Sequence, residues 1–384
     1  MSHNLPWYEK IEPNGYAIKT EEKKQKLWLE NQATPEQLKF FKDNGYLIVR
    51  NALSPEMVDR LVNVVDDIAG KVRAYKGLKE YKDVNTLRAV MEDPVMLELL
   101  TNSKAFPMMF DILGWNIQLY ISQMIIKPPQ PEEYRKKGMN FNGIGWHQDG
   151  GRPTGPNGEL SFDHAVDDDD EKQRRVNEAS HLQNTPMLTA KISYWLSDTT
   201  VPNCGAMMVI PGSHKSDFAP QGKLRKKDKL ARVRDYDTNP QGWIALKVKP
   251  GDAVIFERRI WHSTSNNYSE ITRKVLMFGY SYRWLRGLDY NTMPESLLRH
   301  CSPIQRQLLG DCADIKGYWQ PTKEDVPLKH WLDKHRDGKY GAQLHKFMSA
   351  TANDRNTYKT WDGIGMGTTT TYRPAHSLVS NSKL

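Results

Sequence analysis

The chain has 384 residues, a net charge of +8, and 38 % hydrophobic and 10 % aromatic residues, enough for a sizeable core. No stretch approaches the ~18 uninterrupted apolar residues of a membrane span, and residues 1–10 (MSHNLPWYEK) carry no apolar signal region, so the expectation is a soluble, cytoplasmic protein with no membrane partner. Cys204, Cys301 and Cys312 lack CxxC spacing, and the basic run Lys223–Arg234 has no aromatics for stacking bases, which argues against a disulfide framework, a zinc knuckle and a nucleic-acid partner.

Residues 1–33 read as an N-terminal extension. Thr34-Pro35-Glu36-Gln37 then supplies an N-cap, proline at N1 and glutamine at N3, predicting a helix from Pro35 to about Asn44 that Gly45 stops. Tyr46–Arg50 reads as a strand, and Ser54-Pro55-Glu56 opens a helix with Met57, Leu61, Val64, Val65 and Ile68 at helical spacing. Further helices are expected over Pro94–Leu100 and Ala105–Leu113. Strand-like segments follow at Ile117–Ile126, Met187–Trp195, Ala206–Ile210, Ala253–Phe256 and Lys274–Trp284, bounded by proline or glycine turns such as Lys249-Pro250-Gly251-Asp252. Short strands preceded by helices argue a mostly β domain over 34–284, a barrel or jelly-roll with helices on one outer face.

Residues 163–184 hold five consecutive acids, Asp167–Glu171, and read either as a lid beside the site or as a surface insert. Residues 285–384 read as a helical and irregular C-terminal extension packed on the core, with helices near Ser302–Leu309 and Lys329–His335 and a loose Gly363–Leu384.

Two distant segments carry the chemistry. Trp146-His147-Gln148-Asp149 offers an imidazole and a carboxylate two positions apart, which an extended strand projects from one face; Ile260-Trp261-His262 offers a second imidazole. His147, Asp149 and His262 have the composition of the facial triad that binds non-heme Fe(II) and leaves coordination positions open. Arg273 begins the next strand and shares a face with Val275 and Met277. On a barrel interior its guanidinium needs an anion, and its planar fork suits a carboxylate. His214, in Pro211-Gly212-Ser213-His214, reads as a structural turn residue.

These residues resemble the phytanoyl-CoA dioxygenase (PhyH-like) group of Fe(II)/2-oxoglutarate oxygenases. The resemblance covers about residues 34–284 and rests on Gly45–Val49, Gln123–Pro129 (QMIIKPP), Trp146–Asp149, Gly205–His214 (GAMMVIPGSH), Pro250-Gly251-Asp252, and His262 with Arg273. It implies a double-stranded β-helix (jelly-roll, cupin-like) core with flanking helices. It implies that His147, Asp149 and His262 ligate Fe(II), and that Arg273 holds the distal carboxylate of 2-oxoglutarate. Gln123, Lys127 and Thr264 match positions lining the co-substrate or substrate pocket, and an aromatic beside the co-substrate falls on Tyr194 or Trp195. The implied activity is a dioxygenase using O2, most simply a hydroxylase of a small molecule in natural-product or specialised metabolism, with release of succinate and CO2.

Rival readings differ at named features. Nucleic-acid demethylases of this chemistry carry a second arginine six residues past the first, where this chain has Gly279. A protein or peptide hydroxylase of the same chemistry would need a peptide groove. A cupin-like binding or isomerase module without 2-oxoglutarate would have no use for Arg273. Neither substrate identity nor oligomeric state is legible.

Overall fold

The computed structural model of the chain describes residues 6–13, 23–133, 148–149, 187–215, 242–311 and 325–335. The acidic insert at 163–184, the basic run at 223–234 and residues 363–384 lie outside them.

Strands β1 (Tyr46–Val49), β2 (Val84–Leu87), β3 (Ile117–Lys127), β4 (Thr189–Trp195), β7 (Ala253–Glu257) and β9 (Arg273–Tyr282) form a six-stranded sheet in the order β1-β7-β4-β9-β3-β2. Strands β5 (Met207–Val209), β6 (Ile244–Ala245) and β8 (His262–Thr264) form a second sheet in the order β6-β5-β8. The pairings are antiparallel, and the chain alternates between sheets: β4 to β5, then β7 to β8 to β9. That alternation makes the core a double-stranded β-helix of the jelly-roll, cupin-like kind.

Alternation of side chains sorts the large sheet into two faces. Ile125, Trp195, Val254, Phe256, Val275 and Met277 point inward and pack with Met207 and Val209 of the small sheet and with Leu246, Val248 and Ile260. The other face carries the helices. The Tyr194 hydroxyl donates to the Leu99 carbonyl at 2.9 Å and the Tyr280 hydroxyl to the Leu100 carbonyl at 2.7 Å, joining the sheet to the Pro94–Leu100 helix.

Local signals fix the helix ends. In the Pro35–Asn44 helix the Gln37 amide donates to Thr34 Oγ1 and the Thr34 amide to Gln37 Oε1, a reciprocal cap of the kind that contributes about 1 kcal/mol. Gly45 ends it in the left-handed region at φ 80°. The next helix runs Pro55–Lys76. Gly251 also needs its hydrogen: at φ 92° a Cβ there would lie 2.8 Å from the Leu53 carbonyl oxygen. Its neighbour Asp252 accepts from the Lys249 and Asn51 amides and from Arg50, which ties the β7 turn to the end of β1.

The structure adds β2 and β6, short strands whose sequences carry no strong pattern, and it ends β9 at Tyr282, with Trp284 half exposed and stacked on that ring. Trp28 is fully buried against Phe106 and Phe110. The first compact unit extends to Asp311 and includes the Pro303–Leu308 helix, which Ser302 caps. A second unit, Cys312–Leu384, contains the Pro327–His335 helix, in which Leu328, Trp331 and Leu332 are buried.

Candidate active site

Asp149 and His262 meet inside the barrel. Asp149 belongs to no strand; its amide donates to the Arg258 carbonyl at 2.7 Å, and the Gln148 side chain donates to the Arg259 carbonyl. Both bonds dock this segment on the end of β7. His262, on β8, lies with Nε2 3.6 Å from Asp149 Oδ2. Its Nδ1 is 3.0 Å from the Ile260 carbonyl oxygen, and a carbonyl only accepts, so the proton sits on Nδ1. Nε2 therefore turns a lone pair towards Asp149. Burial holds the imidazole below its ordinary pKa, in the neutral form that ligates metals. His147 lies outside the described residues.

At one end of the same interior face, Lys127 and Arg273 are direct partners across the β3–β9 ladder. They are 1 % and 2 % exposed. Arg273 lies over the Trp195 ring at 5.7 Å, and its Nε and Nη1 find no acceptor among the described residues. Lys127 Nζ is 3.5 Å from Thr264 Oγ1. Gly205 keeps the space between them open: a Cβ there would stand 3.3 Å from Lys127 Cδ and 3.5 Å from Arg273 Cδ. Burial, reinforced by the neighbouring Arg273, pushes the Lys127 ammonium down to about 7, against the pull of Asp83. Burial alone brings Arg273 down to about 10, and burial raises Asp83 to about 6 although both cations act to lower it. Two buried cations on which the Asp83 carboxylate acts, with Arg273 N–H groups that find no acceptor among the described residues, can take a further carboxylate.

Of the sequence-predicted site residues, the structure brings Asp149 to His262, and Arg273 to Lys127 and Thr264. Gln123 lies on the inward face of β3 but four residues from Lys127, roughly 13 Å along the strand. The aromatic beside the Lys127–Arg273 pair is Trp195, since Tyr194 points to the helices. His214 is structural, with Nε2 3.0 Å from the Lys42 carbonyl oxygen and its ring packed against Gly45.

Sequence reasoning missed a third group, on the side of Asp149 away from Arg273. Lys191 on β4 is 6 % exposed and puts Nζ 2.7 Å from Asp149 Oδ2. Burial opposes its charge, but Asp149 overrides that and holds the ammonium above its ordinary pKa. Tyr120 sits in the β3 bulge with its ring over Gly279, where a Cβ would stand 2.6 Å from Cε1. Arg258 is also buried, within electrostatic range of Tyr120 and Asp149. The readable signal was Lys191 itself, which shares the inward period of Ser193 and Trp195.

The donor set suits iron: a neutral imidazole and a carboxylate converge inside the barrel, on the same interior as the buried Lys127–Arg273 pair. Residues 41–275, more than half of the chain, match the phytanoyl-CoA dioxygenase (PhyH) family. A probable phytanoyl-CoA dioxygenase of Caenorhabditis elegans is 23% identical over 68% of this chain and 82% of its own length. Dioxygenase andF of Emericella variicolor is 24% identical over 71% and 83%. A probable alpha-ketoglutarate-dependent hypophosphite dioxygenase of Stutzerimonas stutzeri is 23% identical over 64% and 78%. Among solved structures, HygX from Streptomyces hygroscopicus with nickel and 2-oxoglutarate bound is similar at a TM-score of 0.47, with 15% identity over 67% of this chain and 90% of that one. The chain belongs to the phytanoyl-CoA dioxygenase family of Fe(II)- and 2-oxoglutarate-dependent oxygenases.

Proposed function

We propose that the chain oxidises a small molecule by hydroxylating an unactivated C–H bond, in natural-product or specialised metabolism, while 2-oxoglutarate is converted to succinate and CO2. The observation that carries this reading is the pairing of Asp149 with His262 at 3.6 Å on the same interior that holds the buried Lys127–Arg273 pair. His147, Asp149 and His262 would hold the iron. Bound iron with 2-oxoglutarate and O2 supplies the oxidising power.

The chain's own residues supply placement and dryness. Arg273 and Lys127 fix the far carboxylate of the co-substrate, so its reacting end has one orientation. Ile125, Trp195, Val275 and Met277 wall the interior between the two ends and exclude water from a reactive centre. The Ile260 carbonyl fixes the His262 tautomer, and Lys191 fixes the Asp149 carboxylate. Asp149 stands where halogenating enzymes of the resembled kind have a small residue, which favours hydroxylation, desaturation or ring chemistry over halogenation. The relatives' names span an acyl-CoA and hypophosphite at 23% identity each, so similarity at this level does not carry the substrate across.

The test is titration of the metal-free full chain with 2-oxoglutarate in the presence and absence of Mn(II). Metal-dependent binding, weakened in both His262→Ala and Arg273→Ala, supports the reading. Binding indifferent to metal and to both substitutions refutes it.

A further inference from the structure

Charge is unbalanced on the side of Asp149 away from Arg273. Lys191 pairs with Asp149 at 2.7 Å, and Arg259 pairs with Glu257 at 2.5 Å. Arg258 is left over. It is 3 % exposed, and its buried Nε meets no hydrogen-bond acceptor among the described residues. Glu257 and Asp149, the carboxylates that act on it among the described residues, are engaged by Arg259 and Lys191, and a buried N–H without an acceptor is costly unless a ligand supplies one.

Arg273 shows a similar signature at the other end of the barrel, a buried guanidinium whose Nε and Nη1 find no acceptor among the described residues, and there the proposed co-substrate accounts for it. The co-substrate does not account for Arg258. Lys191 pairs with Gly279, six residues along β9 from Arg273 or roughly 20 Å, and the Arg258 amide bonds the Thr189 carbonyl one step further out. With its far carboxylate at Arg273 and its other end given to the iron at Asp149, the five-carbon diacid has no free carboxylate left for Arg258. The Asp149 amide bonds the Arg258 carbonyl, so this arginine flanks the carboxylate that would hold iron. Lys191 and the Tyr120 phenol stand on the same wall, and Gly279 admits no side chain to fill the space that the Tyr120 ring takes.

We infer that Arg258 is a specificity-determining residue that anchors a carboxylate on the substrate, making the substrate class a small organic acid. The inference rests on the proposed oxygenase reading for the positions of iron and co-substrate. The planar guanidinium takes a carboxylate through two parallel N–H bonds, which a neutral amide cannot reproduce. The acid then lies beside Asp149 and on the opposite side from the co-substrate, so both ligands bind together.

The experiment uses the full chain loaded with Mn(II) and saturating 2-oxoglutarate, so that Lys127 and Arg273 are occupied. Benzoate, 1-naphthoate and decanoate are each titrated calorimetrically beside their primary amides, into wild type, Arg258→Gln and Arg258→Lys. At least one acid should bind wild type about tenfold or more tightly than its amide, the preference should collapse in Arg258→Gln, and Arg258→Lys should keep part of it. Affinity for 2-oxoglutarate should be the same in Arg258→Gln as in wild type. Acids binding no better than amides in wild type, or a preference that survives in Arg258→Gln, overturns the inference. Repeating the acid–amide comparison on metal-free protein keeps the two readings apart: absent Mn(II)-dependent 2-oxoglutarate binding counts against the oxygenase reading, whereas the acid preference is still decided on Arg258. Thermal melts confirm that the variants are folded, and Arg258→Lys serves should Arg258→Gln fail.

Discussion

Lys127 and Arg273 stand opposite one another as direct cross-strand partners, two buried cations on adjacent strands of the barrel interior. Like charges so placed are repulsive. Burial and Arg273 both disfavour the Lys127 charge, and Asp83 offsets only part of that. Replacing Lys127 by methionine should therefore raise the unfolding free energy of the ligand-free protein by about 1–2 kcal/mol while weakening 2-oxoglutarate binding about tenfold or more. Urea denaturation and calorimetry check the two halves; a variant that loses both stability and affinity would show that Lys127 is held by native partners instead.

Arg273→Ala should act mainly on the co-substrate. Charge-assisted hydrogen bonds contribute about 1.5–3 kcal/mol each, so losing a bidentate contact should raise the Kd for 2-oxoglutarate about a hundredfold or more. An unchanged Kd would move the co-substrate anchor elsewhere.

The depressed Lys127 pKa of about 7 has a sign that is testable. A lysine in the unfolded chain titrates near 10.4, so between about 7 and 10.4 the unfolded state binds more protons. This group's penalty is fully present below pH 7 and is relieved as pH rises through that window, so ligand-free stability gains from it on the alkaline side. Binding of the dianion recharges the amine. At pH 8, 2-oxoglutarate binding should take up a proton, seen as a buffer-dependent binding enthalpy. Lys127→Met should take up none, and zero uptake in wild type contradicts the assignment.

Gly279 is required by Tyr120. A Cβ there would stand 2.6 Å from Tyr120 Cε1 and 2.7 Å from Ile121 Cγ2, so Gly279→Ala should cost about 1–3 kcal/mol of stability. Adding Tyr120→Leu should recover part of that loss, which a double-mutant cycle of thermal or urea melts reads directly. Strict additivity would mean that the ring is not what fills the space.

The frame of the site was legible because its signals are local. Proline and cap residues mark the helix starts at Pro35 and Pro55, and alternation along Arg273, Val275 and Met277 placed the guanidinium inside. The inward period of Lys191 was readable, but nothing near Lys191 or Arg258 in sequence shows that they flank Asp149. Asp149 sits on the end of β7 through backbone bonds to Arg258 and Arg259, a contact between segments more than a hundred residues apart. The choice between Tyr194 and Trp195 likewise needed the β4–β9 register, which only pairing supplies. The role of His147 and that of the 163–184 insert lie outside the described residues.

The most direct test of the iron and 2-oxoglutarate assignment is succinate formed from 2-oxoglutarate under air, with and without added Fe(II), in wild type, Asp149→Ala and His262→Ala. Iron-dependent succinate in wild type, abolished in both variants while their folding is intact, is the predicted result. Succinate formation that persists in either variant, or a wild type that forms none with iron while binding 2-oxoglutarate without regard to metal, would contradict the assignment.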